Sequence, residues 1–146
     1  MITLSQFGNV PPNLAANARA TVAVVNEIFA AFPGRFRFTS GYRTPQRNAA
    51  VNGAPNSFHV RALAADFVPV DGRYPAAEID GVRRIVERYG GEVLRHNAGS
   101  GLHYHIEPRG SAWTSAAGDP AGSGPGSSYA IGIALGVVAV GVLILD

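Results

Sequence analysis

Apolar residues recur at helical spacing from Leu14 through Ala18, Val22, Val25, Ile28 and Phe29 to Phe32. This predicts a helix over residues 11–32, which Pro33-Gly34 stops. The pattern then changes period. Residues 35–39, RFRFT, alternate and predict a short strand, and residues 63–70 predict a second one broken at Pro69. Helical spacing returns over residues 75–89, with Ile79, Val82, Ile85, Val86 and Tyr89 on one stripe and Gly90-Gly91 as the stop. Residues 92–95 and 102–107 read as strands separated by the turn-rich HNAGSG, while residues 41–51 read as a long polar loop. The order α, β, loop, β, α, β, β predicts an α+β domain with a small, mostly antiparallel sheet and flanking helices.

Composition then divides the chain into three. Residues 1–110 are of ordinary globular make-up. Residues 111–128 are dominated by Gly, Ser, Pro and Ala and read as a flexible linker. Residues 129–145, YAIGIALGVVAVGVLIL, are apolar without interruption and wrap all faces of a helix. As a helix they would span roughly 26 Å, close to a hydrocarbon core. The expectation is one C-terminal transmembrane helix set in a lipid bilayer, rather than a buried core helix. Gly132 and Gly136 form a GxxxG pair that would let two such helices associate. No charged segment followed by an apolar run stands at the N-terminus, so no secretory signal is expected. All arginines precede the apolar segment, which favours an interior side for the globular part.

The chain has 146 residues and no cysteine, enough for one compact domain and no disulfide framework. All twelve basic residues are arginine. They face eight acids before residue 112, a net of +4 for that part. A mildly basic surface suits an anionic polymer such as a cell wall. No basic patch interleaved with aromatics stands out, so nucleic acid is not expected as a partner.

Candidate chemistry gathers in two places, residues 40–66 and residues 102–108. They offer His59, Asp66 and His105 as ligands for one zinc ion, with Arg43, His103 and Glu107 nearby. Zinc accepts imidazole nitrogen and carboxylate oxygen at about 2.0–2.2 Å, and three protein ligands leave a position for water. His103, His105 and Glu107 are two apart on a strand and share a face. His59 and Asp66 are seven apart and would oppose each other on a regular strand. Either the chain bends near residues 61–63, or His59 precedes the strand. His96, in the turn, is expected to be structural or exposed.

The segment TSGYRTPQRNAAVNGAPNSFHVRALAADF resembles the signature of zinc D-alanyl-D-alanine carboxypeptidases and L-alanyl-D-glutamate endopeptidases, phage endolysins among them. These peptidoglycan peptidases are grouped with lysostaphin-like and Hedgehog-type domains. Ser40-Gly41-Tyr42-Arg43, Asn48, Gly53, Ser57-Phe58-His59, Asp66 and His105 carry the likeness, which covers residues 15–108. It implies one zinc per chain on His59, Asp66 and His105. It also implies Arg43 on a substrate carboxylate or oxyanion, and Ser57 and Tyr42 along the peptide site. Two positions depart from the pattern: Ala62 stands where a glycine is usual, and Leu102 where many members carry an acid. The general base is therefore open between His103 and Glu107.

The implied activity is hydrolysis of peptidoglycan stem peptides by a membrane-tethered zinc peptidase, in a phage lytic enzyme or virion component. The alternative is a non-catalytic cell-wall-binding or structural module that keeps the fold.

Overall fold

The computed structural model describes residues 1–97 and 101–115. The linker beyond residue 115, the apolar segment 129–145 and its glycine pair lie outside the described residues. Among the described residues no helix is long and apolar enough to cross a membrane.

The elements run α1 (Leu4–Phe7), a 3-10 turn (Pro12–Leu14), α2 (Ala15–Ala31), β1 (Phe36–Ser40), α3 (Pro45–Ala50), a 3-10 turn (Phe58–Arg61), β2 (Ala65–Pro69), α4 (Ala76–Arg88), β3 (Gly91–Asn97) and β4 (Leu102–Pro108). The four strands form one antiparallel sheet in the order β1-β2-β4-β3. The periodic segments thus become the expected elements. The polar loop is corrected, because residues 45–50 are helical. Thr44 caps that helix by accepting the Arg47 amide, and Pro45 occupies its first turn with φ already preset.

Alternation sorts the sheet into two faces. Phe36, Phe67, Val93, Tyr104 and Ile106 turn inward with Val24, Val25 and Ile28 of α2 and Val82 and Val86 of α4. Phe29 of α2 meets Phe67 edge-on at 5.7 Å, and Phe67 meets Phe36 at 5.1 Å. Each such side chain, fully buried, contributes about 1.5–3 kcal/mol. Tyr104 reaches through this core to donate to Glu78 Oε1 at 2.9 Å, and Glu78 pairs with Arg35. The core therefore lies on one side only, leaving the other face of β2, β3 and β4 to carry polar residues.

Candidate active site

A reversal of the chain places His59. Ser57 caps the second 3-10 turn by accepting the His59 amide at 3.3 Å, and the turn ends at Ala62 with φ 57° and ψ 30°. That left-handed residue turns the chain before β2 begins. His59 therefore precedes the strand, and the opposition expected of a regular strand disappears. Helix α2 anchors the reversal: Asn17 Nδ2 donates to the Arg61 carbonyl and Thr21 Oγ1 to the Ala62 carbonyl, both at 2.9 Å. Trp113 Nε1 in turn donates to Thr21 Oγ1 at 2.8 Å.

Residues 40–43 lock onto this turn. His59 Nδ1 lies 2.6 Å from the Gly41 carbonyl, and the Arg43 amide donates to the His59 carbonyl at 3.2 Å. A carbonyl can only accept, so Nδ1 carries the proton and Nε2 keeps its lone pair for the site. Gly41 is needed for close approach, since a Cβ there would sit 2.5 Å from both the ring and the carbonyl of Phe7.

Strand β4 supplies the rest. His105 stands opposite Asp66 in register, with Nδ1 2.7 Å from Asp66 Oδ1 and Nε2 2.8 Å from Glu107 Oε2. His59 Nε2 is 3.2 Å from Asp66 Oδ1. One donor atom from each of His59, Asp66 and His105 falls within 4.8 Å of the others, and all three residues are buried.

Electrostatics tests whether a cation fits. Burial raises the Asp66 pKa, but hydrogen bonds from His105 and His59 outweigh it and hold the carboxyl well below the usual range. Burial likewise lowers the His105 pKa, yet its bonds to Asp66 and Glu107 push it up to about 9. Without a metal, the site recruits an extra proton onto a buried imidazole. That shortage of positive charge is what a divalent ion would supply, so the three residues fit zinc. Glu107, bonded to the far nitrogen of His105, has the place of a carboxylate that orients a ligand.

The remaining predicted residues ring this centre. Arg43 Nη2 is 2.5 Å from Asp66 Oδ2 and its Nε donates to Ser40 Oγ at 2.9 Å, so the guanidinium fixes the carboxylate. His103 Nδ1 is 2.8 Å from the Gly101 carbonyl, leaving Nε2 facing inward, 3.8 Å from Asp66 Oδ1. Leu102, an odd number of steps from His105, belongs to the opposite face by alternation. Tyr42 and Ser57 line the cleft of about 1170 Å³ that opens over the ligands.

One residue is corrected. His96 is not in a turn but in β3, opposite His103. Its ring stacks on His105 at 4.9 Å with an interplanar angle of 11°. All four histidines of the chain thus gather on one face. Burial, with His105 and His103 close by, lowers the His96 pKa.

Two buried imidazoles and a carboxylate beneath an open cleft, with a third imidazole alongside, define the class of mononuclear metallohydrolase sites. Residues 5–106 match the family profile described as Peptidase M15, and the chain belongs to that family of zinc-dependent metallopeptidases. No curated protein matches the chain at a significant level.

Proposed function

We propose that this chain is a zinc peptidase that hydrolyses stem peptides of peptidoglycan. The buried His59–Asp66–His105 group under an open cleft, in a member of the Peptidase M15 family, carries this reading. Zinc, if held by these three residues, would supply Lewis-acid polarisation and lower the pKa of a water at the site. The protein's own groups do the rest. His103 donates Nδ1–H to Gly101, so Nε2 is the basic atom turned toward the ligands. It takes the proton of the attacking water and passes it to the leaving amine. Glu107 is engaged with His105 and holds that ring in place. Arg43 holds Asp66 to one orientation and lines the same cleft, which puts its positive charge beside the place where an oxyanion would form.

The membrane tether and the lytic or virion role belong to this proposal too. They are supported by the apolar run 129–145 after a Gly-, Ser- and Pro-rich stretch. Retention of the full chain in the membrane fraction after a carbonate wash is the expected result for the tether. Release into the supernatant would refute it.

The central test uses the full chain with zinc and purified peptidoglycan. One equivalent of metal and released peptides are expected for the wild type, with both lost in His105→Ala. Bound zinc without cleavage would favour the non-catalytic wall-binding module.

A further inference from the structure

Strand β4 is followed by a strap that reaches helix α2. After Pro108 the chain runs back along the turn between α4 and β3. The Arg109 amide donates to the Gly90 carbonyl and the Thr114 amide to the Tyr89 carbonyl, each at 3.0 Å. Between them Trp113, the chain's single tryptophan, packs against the core cluster. Its ring lies over Gly91, where a Cβ would come within 2.2 Å of it. Trp113 falls in the stretch that composition marks as linker, and it lies beyond the residues 5–106 that match the family profile.

The indole has one polar group, a donor, and it goes to Thr21 Oγ1 at 2.8 Å. Thr21 is fully buried. Its hydroxyl has two carbonyls within reach, that of Asn17 in its own helix at 3.0 Å and that of Ala62 at 2.9 Å. An oxygen that accepts a hydrogen bond is a stronger donor, so the indole tightens the hold on Ala62. Ala62 is the left-handed residue, with φ 57°. An L-residue keeps such a backbone only where its surroundings over-determine it. The Ala62 amide in turn donates to the His59 carbonyl at 3.2 Å. Consecutive hydrogen bonds therefore run from Trp113 through Thr21 and Ala62 to the backbone of His59.

We propose that Trp113 is a positioning residue for the metal centre: through Thr21 it holds the left-handed turn that sets His59 beside Asp66. This rests on the zinc reading proposed above and extends the site's support to a residue after the last strand.

The test uses the full chain and reads zinc affinity by competition with a chromophoric chelator, at a temperature where every variant is folded. Trp113→Phe keeps a ring against Gly91 and removes the N–H. Thr21→Val keeps the shape and removes the hydroxyl. Each is expected to weaken zinc binding about 3–10-fold, below the loss for a direct supporting bond because other residues intervene. Since both act along one path, the double variant should lose no more than the worse single variant. Emission from the single indole should shift in Thr21→Val, because its hydrogen-bond partner is gone. Val82→Ala, a buried change on α4 outside these bonds, should lower Tm and leave zinc affinity unchanged. A merely structural Trp113 would behave like Val82. Wild-type zinc affinity in either folded single variant, additive losses in the double variant, or an unshifted emission would overturn the inference. Zinc binding weakened as expected, with no peptide released from peptidoglycan by the wild type, leaves this inference standing and refutes the peptidase. A wild type that binds no zinc refutes both.

Discussion

His59 is bonded to Gly41 through its ring and to Arg43, two residues on, through its backbone carbonyl. The imidazole donates Nδ1–H to the Gly41 carbonyl at 2.6 Å, and the chain two residues later donates back from the Arg43 amide to the His59 carbonyl. This pair selects the tautomer that frees Nε2 for a metal. Gly41 can hold the position only because it lacks a Cβ beside Phe7. Gly41→Ala should therefore shift the carbonyl and weaken zinc binding by about 10–100-fold, the usual cost of losing a ligand's supporting bond. Competition with a chromophoric chelator measures this. Unchanged zinc affinity in the folded variant would show that the Gly41 carbonyl does not orient His59.

Ala62 tests the left-handed turn. An L-residue at φ 57° costs about 1–2 kcal/mol. Glycine would relieve this, while losing a buried methyl worth about 0.8 kcal/mol and gaining freedom in the unfolded chain. Ala62→Gly should thus stay within about 1 kcal/mol of the wild type in urea unfolding. Ala62→Val should lose about 2–4 kcal/mol, because a β-branched side chain combines this backbone with a fully buried position. Valine tolerated at no cost would mean that the turn is not left-handed.

Much of this was legible along the chain, for physical reasons that also mark the limit. Helix α2 and strands β1 and β4 announce themselves because their burial follows a period of about 3.6 or of 2. The ligand trio was legible as residue types in order, but not as geometry. What brings His59 and Asp66 together is a single left-handed residue, and alanine does not advertise that conformation. Helix α3 was missed because six residues are too few to show a period, although Thr44-Pro45 was its available signal. His96 was missed for a different reason. The Asn, Gly and Ser that follow it mark a turn, whereas pairing with His103 across the sheet extends the strand through it. The engagement of Arg43 with Asp66 is likewise a tertiary contact with no local trace.

The stack of His96 on His105 gives the missed residue a checkable part. Parallel rings at 4.9 Å brace the face of a ligand whose two nitrogens are already held. His96→Ala should lower zinc affinity severalfold, and His96→Phe should restore most of it by keeping a flat ring there. A purely structural role would move thermal stability but not the difference in zinc affinity between these two variants. Equal zinc affinity in all three proteins would remove His96 from the site's support.

The proton on His105 makes the metal-free protein sensitive to alkali. Asp66 on β2, Glu107 on β4 beside His105 itself, His59, His96 and His103 all surround this ring, and Arg43 pairs with Asp66. Its pKa rises from 6.5 to about 9 on folding. A raised pKa contributes stability that is fully present below pH 6.5 and disappears as pH climbs through about 9, on the order of 1–3 kcal/mol. Asp66 acts oppositely, its depressed pKa stabilising above about pH 4 and failing in acid. Chelator-treated protein should therefore lose roughly 5–10 °C in Tm between pH 6.5 and 9.5. Zinc must displace the same proton, so the loaded protein should not show that decline, and zinc uptake near pH 7.5 should release protons. Titration calorimetry in buffers of different ionisation enthalpy counts them. A flat alkaline Tm profile in the metal-free protein, together with zinc uptake that releases no proton, would contradict the buried, doubly bonded His105.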